Sequence, residues 1–325
     1  MNPIVIRTAR VFLWSIVLAV VCLLALDVDQ RVAQSGCMLP PSHEMEFEGE
    51  HRFYDVRLPP DYSGTHPLPA VVVLHGGGGS ASRTERITGW TELAAEAGFL
   101  VIYPEGVDSY WNDGRKTRYS RAARNDVNDV GYLDAVIDIV AQHYPIDPKR
   151  IYFTGVSNGG IMALRYATER PERVAAVSAI SAQLPDSLAH VSHPGFAVPA
   201  MFVFGTDDGL VPYEGGAIEI LSTERGAVLG AEESARVWAE WNGCATPPTE
   251  TLLPDLVPND GTETDIITYG ACREEAEVVL YRVRGGGHGL PGGHVEWPAS
   301  LFERTSHDLD SVAESLKFFQ KHGRK

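Results

Sequence analysis

A serine hydroxyl is a weak nucleophile at neutral pH. It becomes useful when a base takes its proton, a carboxylate orients the base, and amide donors meet the oxyanion that forms. One serine of this chain lies in the local setting that such chemistry requires, Gly155-Val156-Ser157-Asn158-Gly159. Before it comes Arg150-Ile151-Tyr152-Phe153-Thr154, whose composition reads as a buried strand; after it, Gly160 to Ala167 reads as a helix. So tight a strand-to-helix turn strains the serine backbone and needs neighbours without a Cβ at positions 155 and 159. The hydroxyl is then held above the sheet, with the next helix N-terminus pointing at it. Five letters alone are a weak signal in a glycine-rich chain, where about 0.2 chance matches are expected, so the flanking strand and helix carry the inference.

The partners must come from loops after later strands. Asp186, Asp207, Asp208 and Asp255 are the acid candidates, and only Asp207 and Asp208 directly follow a buried run, Met201-Phe202-Val203-Phe204-Gly205-Thr206. The alternative for that pair is an ordinary turn, since Asp and Gly are turn formers. Among the later histidines, His288 stands in Arg284-Gly285-Gly286-Gly287-His288-Gly289, directly after a predicted strand; its glycines let the backbone aim an imidazole back at Ser157. His294 is the runner-up, whereas His307 and His322, on or beyond the last helix, read as surface residues. For an oxyanion hole, the backbone amide of Asn158 is one expected donor, and Gly77, in His75-Gly76-Gly77-Gly78-Gly79, is the other. No Gly-Lys-Ser/Thr follows these glycines, so they do not read as a phosphate cradle.

The elements that must position these residues are legible as alternating strands and helices. Strands are predicted at His51 to Leu58 (an edge strand ending at Pro59-Pro60), Ala70 to Leu74, Phe99 to Tyr103, Val174 to Ile180, Ala200 to Phe204 and Glu277 to Val283. Helical spacing of apolar residues marks Ser82 to Ala97, Asp129 to Tyr144, Glu232 to Trp241 and Ser306 to Gln320. Such alternation predicts an α/β fold, a mostly parallel central sheet with helices on both faces. At 325 residues the chain can hold one large α/β domain, expected over residues 45–325, and no repeat or second boundary is evident.

Residues 1–36 do not belong to that domain. Arg7 and Arg10 precede an apolar run from Val11 to Leu26, the pattern of an export signal; an uncleaved signal anchor is the alternative, because Ala33-Gln34-Ser35, the A-x-A-like site, lies far beyond the apolar run. Either way the expectation is a secreted or periplasmic protein, or one tethered to a membrane by this segment alone. Cys37 follows Gln34-Ser35-Gly36, which lacks the aliphatic residue of a lipoprotein signal, and Cys22 lies inside the apolar run. Export permits disulfides. Cys244 and Cys272 are the expected pair; they bracket a Pro- and Gly-rich excursion predicted to have little regular structure. No C-x-x-C spacing suggests zinc. The net charge of -16 argues against nucleic-acid binding through phosphate contacts and reads as solubility.

Taken together, Leu74-His75-Gly76-Gly77-Gly78-Gly79-Ser80, Trp111-Asn112-Asp113-Gly114, Gly155-Val156-Ser157-Asn158-Gly159-Gly160, Gly205-Thr206-Asp207-Asp208, Val211-Pro212-Tyr213 and Gly285-Gly286-Gly287-His288 resemble, in order, the motifs of the secreted α/β hydrolases grouped as polyhydroxybutyrate depolymerases, feruloyl esterases and acetylxylan esterases. The resemblance runs from about His51 to the C-terminus and takes in Asn242-Gly243-Cys244 and Arg304-Thr305-Ser306. It implies the α/β-hydrolase fold, a Ser157-Asp208-His288 triad, carboxylic ester substrates including polymeric ones, and neither cofactor nor metal. The family motif G-T-x-D-x-x-V-P-Y places the acid on Asp208 rather than Asp207. Where that family has Trp-Pro-Gly after its histidine, this chain has Gly289-Leu290-Pro291-Gly292, so an aromatic cleft wall is absent unless Trp297 replaces it, and acyl specificity stays open. Trp111 opens a polar loop reaching Asn128 and is either a substrate platform or a loop anchor. Arg115, Lys116, Arg118, Arg121 and Arg124 make that loop basic, which reads as a solvated surface or, more sharply, as recognition of an acidic substrate. A serine peptidase on the same fold and a non-catalytic binding module are the competing readings; the presence of all three triad residues weighs against the second.

Overall fold

A ten-stranded sheet organises the computed structural model, which describes residues 43–190, 196–220, 222–245, 247–293 and 304–324. Its strands are β1 (His43–Phe47), β2 (Glu50–Arg57), β3 (Leu68–Leu74), β4 (Leu100–Pro104), β5 (Ile146–Val156), β6 (Ala176–Ile180), β7 (Ala200–Gly205), β10 (Thr249–Leu252), β11 (Glu263–Tyr269) and β12 (Val278–Arg284); β8 (Gly215–Ile220) and β9 (Thr223–Leu229) form a separate hairpin. The order across the sheet is β1-β2-β4-β3-β5-β6-β7-β12-β11-β10. From β4 to β12 neighbouring strands run parallel, and antiparallel strands flank this block on both sides.

Every residue of β3 is buried, as its continuous apolar run requires of a strand covered on both faces. Its side chains divide by parity: Ala70, Val72 and Leu74 join one core with the helices α4 (Asp129–His143), α5 (Asn158–Glu169) and α6 (Ala231–Trp241). Val71 and Val73 join the opposite core with α1 (Ala81–Thr88), α2 (Trp90–Ala97) and α7 (Ser311–Lys321). A four-residue helix, α3 (Arg121–Arg124), interrupts the loop between β4 and α4. The mostly parallel sheet with helices on both faces is thus present. Among the described residues no helix is long and apolar enough to cross a membrane.

Four local expectations are corrected. The strand near His51 is not at the edge, because β1 pairs outside it. The segment Ser82 to Ala97 is two helices, since Gly89 at φ 65° caps the first and starts the second. The last helix begins at Ser311 rather than Ser306; the Asp310 carboxylate caps it by accepting from the amides of Val312 and Ala313. The excursion between the two cysteines contains β10 and β11, which extend the sheet. The Cys244–Cys272 disulfide is formed across a sequence separation of 28 residues. The expectations placed on residues 1–36, Cys22, Cys37, His294 and Trp297 lie outside the described residues.

Candidate active site

Strand β5 ends at Val156, and Asn158 begins α5, leaving Ser157 as the single connecting residue. Its backbone has φ 54° and ψ -124°, a region that non-glycine residues rarely occupy. The two flanking glycines follow from packing. A Cβ on Gly155 would come within 2.5 Å of the Gly159 carbonyl carbon, and one on Gly159 would collide with the carbonyl oxygens of Leu74 and His75. The Ser157 amide donates to Ile180 O at 2.9 Å, which ties the turn to the end of β6.

Asp208 and His288 are drawn together by the loops after β7 and β12. Those loops are joined by hydrogen bonds: Asp207 N donates to Gly286 O at 2.8 Å, Thr206 N to Val283 O at 2.9 Å, and Gly285 N to Thr206 Oγ1 at 2.9 Å. Gly205 permits the approach, since a Cβ there would strike the Gly286 carbonyl. The outcome is a hydrogen bond of 2.7 Å between His288 Nδ1 and Asp208 Oδ2, which fixes Nδ1 as the protonated nitrogen and leaves Nε2 as the acceptor. The other carboxylate oxygen, Asp208 Oδ1, accepts from Leu210 N at 2.9 Å and Val211 N at 2.8 Å, so the acid cannot swing away. Asp207 is exposed, and its carboxylate accepts from Thr206 Oγ1 instead. Ser181, just beyond β6, donates from Oγ to Gly289 O at 2.8 Å. Through Ile180 and Ser181 the histidine loop and the serine turn share the end of one strand. No hydrogen bond joins Ser157 Oγ to His288 among the described residues; such bonds are often long without substrate and tighten when it binds.

The amide of Asn158 lies in the first turn of α5, where helix N–H groups have no intrahelical partner. The loop after β3 is packed on the same turn: a Cβ on Gly76 would stand 3.8 Å from Ser157 Cβ, and one on Gly77 would stand 3.6 Å from Asn158 Cβ. The glycine loop therefore packs on the turn through Gly76 beside Ser157 and through Gly77 beside Asn158. Buried His75 anchors the loop, with Nδ1–H donating to Gly76 O at 2.8 Å and Nε2 accepting from Gly106 N at 2.8 Å. Burial lowers its pKa to about 4, so the ring stays neutral and keeps both bonds. Beside it, Glu105 is raised to about 7, chiefly by burial.

Trp111 is not at a cleft rim. It is 1% exposed; its Nε1 donates to His75 O at 2.9 Å and its amide to Asn158 Oδ1 at 2.9 Å. This corrects the substrate-platform expectation: the indole anchors the loop after β3. The next residues have a role that sequence patterning did not assign. Asn158 Nδ2 donates to Asp113 Oδ2 at 2.6 Å, and Asp113 is paired with Arg115 at 2.7 Å. Asn112 N donates to Asp129 Oδ2 at 2.7 Å, and Asp129 Oδ1 pairs with buried Arg52 at 2.7 Å. Arg121 is likewise paired, with Glu50 and Asp108. Two of the loop's five basic residues, Arg115 and Arg121, are thus paired with neighbouring carboxylates. His322, expected at the surface, is 7% exposed and sits 2.9 Å from Glu277 through Nε2, while His307 is exposed as expected.

The chain is similar to several known esterases. The family model "Putative esterase" matches residues 43–250. "Putative esterase NocK" of Nocardia uniformis subsp. tsuyamanensis is 30% identical over 77% of this chain and 73% of its own length. "Feruloyl esterase B" of Piromyces equi is 26% identical over 74% of this chain, which spans only 43% of that protein. Among solved structures, the acetyl xylan esterase from Aspergillus awamori superposes with a TM-score of 0.56 at 15% identity, covering 83% of this chain and 94% of that one; at this identity the likeness speaks for the fold. The chain belongs to this esterase family, has the α/β-hydrolase fold, and is a carboxylic ester hydrolase.

Proposed function

We propose that the protein is an exported serine esterase whose catalytic domain begins near residue 45 and whose triad is Ser157, Asp208 and His288. The observation that carries the triad is the 2.7 Å bond from His288 Nδ1 to a doubly anchored Asp208, on loops tied to the strand end beneath Ser157. In this reading Nε2 of His288 takes the Ser157 proton as Oγ attacks the ester carbonyl. Asp208 holds the imidazole and stabilises the imidazolium. The amides of Gly77 and Asn158 bind the tetrahedral oxyanion. Collapse expels the alcohol, protonated by His288, and leaves an acyl-Ser157 that water hydrolyses with His288 as base.

Esters of polysaccharides (feruloyl or acetyl) and polyhydroxyalkanoates are the proposed substrates. Feruloyl esterases and an acetylxylan esterase/xylanase among the relatives support the first class. Export is supported by the charged and apolar pattern of residues 7–26 and by the Cys244–Cys272 bridge.

A fluorophosphonate should label Ser157 and no other serine, and Ser157→Ala should abolish labelling and hydrolysis together. Full activity of that variant would overturn the triad. On one preparation, kcat/KM for methyl ferulate, acetylated xylan and a hydroxybutyrate oligomer should each exceed that for a long-chain triglyceride. The opposite order would replace this reading with a lipase. Matching amides should be cut far more slowly than esters; comparable rates would make the protein a peptidase.

A further inference from the structure

The residues that hold the loop after β3 also place an aromatic and cationic cluster beside it. Gly78 N donates to Ser109 O at 2.8 Å, and the Asn158 side chain holds both the amide and the carbonyl of Trp111. Tyr110, between these two anchors, lies against the glycines: its ring stands 2.8 Å from where a Cβ of Gly77 would be, and its hydroxyl 3.6 Å from that of Gly78. Tyr110 packs edge-on against Tyr119, with ring centroids 5.5 Å apart and hydroxyls 3.4 Å apart. The guanidinium of Arg225, on β9, lies 3.5 Å above the Tyr119 ring and also interacts with the Tyr110 hydroxyl. One tyrosine ring therefore separates Arg225 from the proposed oxyanion hole.

Arg225 is unusual in what it lacks. Among the described residues Arg115 and Arg121, on the neighbouring loop, are paired with carboxylates, and Arg52 is paired with Asp129. Arg225 has no carboxylate or carbonyl partner there, and its Nε is buried without any hydrogen bond. In a chain of net charge -16 acidic groups are plentiful, so an arginine left half-buried against two tyrosines, with no carboxylate among the described residues, is poised for a charge from outside. The hairpin is also held in place. Gly226 is close enough to Arg115 that a Cβ would come within 2.6 Å of its Cβ, and Val228 bridges Pro185. An anion at Arg225 meets a fixed cation rather than a mobile surface side chain.

We propose that Arg225, with Tyr110 and Tyr119, forms a subsite for an ionised carboxylate on the substrate, so that the preferred esters carry a second, free carboxyl group. This rests on Ser157 being the nucleophile. The carboxylate belongs either to the acyl half, as in a half-ester of a dicarboxylic acid, or to the alcohol half, as in an acylated hydroxy acid. Hydrolysis of either follows the same balanced course: the Ser157 acyl bond forms, the alcohol leaves with a proton from His288, and water releases the acid.

Two matched pairs test it. Monomethyl glutarate against dimethyl glutarate places the charge on the acyl side; 3-acetoxybutyrate against its methyl ester, followed by acetate release, places it on the alcohol side. The anionic member of one pair should show kcat/KM about 10-fold or more above its capped partner, a preference that 0.5 M NaCl erodes. Arg225→Gln should lower the anionic substrate about 10- to 100-fold while leaving the capped one within about threefold. Arg225→Lys should keep part of the preference, because charge remains while the stacked, planar donor is lost. Which pair responds identifies the side of the ester. No charge preference in either pair, with neutral esters cleaved normally, would overturn the Arg225 subsite alone. Equal loss on anionic and capped esters in Arg225→Gln would overturn it too and make the arginine a brace for Tyr119. Failure to cleave any ester, with Ser157 unlabelled, would instead remove the Ser157 assignment on which the proposal stands.

Discussion

Asn158 and Asp113 are joined by a 2.6 Å hydrogen bond between residues 45 apart in the chain, and both side chains are buried. The bond matters because it ties the first turn of α5, whose amide is the proposed oxyanion donor, to the loop after β4. Asp113 is in turn fixed by Arg115, so the loop after β4 sets the position of the turn that carries Ser157.

That link predicts a kinetic signature. Asp113→Ala should lower kcat about 10- to 100-fold with little change in KM, since the donor acts on the transition state. It should also cost on the order of 3 kcal/mol in urea unfolding, because largely buried Arg115 loses its carboxylate and Asn158 Nδ2 keeps only the Trp111 carbonyl. Asp113→Asn, which keeps an acceptor for Asn158, should recover most of kcat. An unchanged kcat in folded Asp113→Ala would show that the contact is structural only.

The two adjacent aspartates offer a sharper test of the triad. Asp208→Asn should keep the fold, since its Oδ1 can still accept from Leu210 and Val211, yet lower kcat by roughly 10⁴ because His288 loses its orienting anion. Asp207→Asn should change kcat by less than about threefold, as this side chain is exposed and does not reach the histidine. The reverse order in steady-state kinetics would reassign the acid.

The strands and helices that position the serine were legible because burial on both sheet faces leaves continuous apolar runs such as Leu68 to Leu74. Ser157 was legible for a different reason: only glycine fits at 155 and 159, so the turn imprints itself on the sequence. The elements that were missed have weaker imprints. Strand β10 is exposed along its length, so no burial pattern marks it, and the β8–β9 hairpin lies outside the main sheet and sends only Ile218, Gly226 and Val228 into buried positions. Trp111 shows the remaining limit. A tryptophan at a loop start fits a rim or an anchor equally well, and what decides is a partner 36 residues away, the carbonyl of His75. The choice between Asp207 and Asp208 likewise depended on a resemblance, because both follow the same strand and only the turn geometry separates them.

The Cys244–Cys272 bridge closes the loop that contains β10 and β11. Loop-closure entropy for a segment of this length corresponds to about 3–4 kcal/mol. Cys244→Ser/Cys272→Ser, or reduction of the native protein, should lower the urea midpoint accordingly while leaving the rate on small soluble esters within about twofold, as neither cysteine takes part in the bonds that hold Asp208 and His288. Mapping of unreduced peptides should recover the linked pair, and two free thiols in exported protein would refute the assignment.

Glu105 and His75 predict opposing pH dependences of stability at one spot, with the carboxylate Oε2 3.5 Å from the ring Nε2. Burial raises Glu105 from 4.5 to about 7, so the fold favours its protonated form; its contribution is fully present below about pH 4.5 and is lost as pH rises through 7. Burial lowers His75 from 6.5 to about 4, so its contribution is fully present above pH 6.5 and is lost as pH falls through 4. Between these limits the two slopes partly cancel in the wild type. Glu105→Gln removes one of them while keeping an acceptor for the Ala81 amide, which Glu105 Oε1 now bonds at 2.7 Å. The variant should therefore gain stability relative to wild type as pH is raised from 5 to 8, by about 1–3 kcal/mol given that each pKa unit is worth about 1.4 kcal/mol. Below pH 6 it should lose stability more steeply than wild type as His75 is forced to take a proton. Thermal or urea unfolding of both proteins at pH 5, 6.5 and 8 measures this directly. A stability difference that does not change with pH would show that Glu105 is already ionised throughout the range and that burial does not hold its proton.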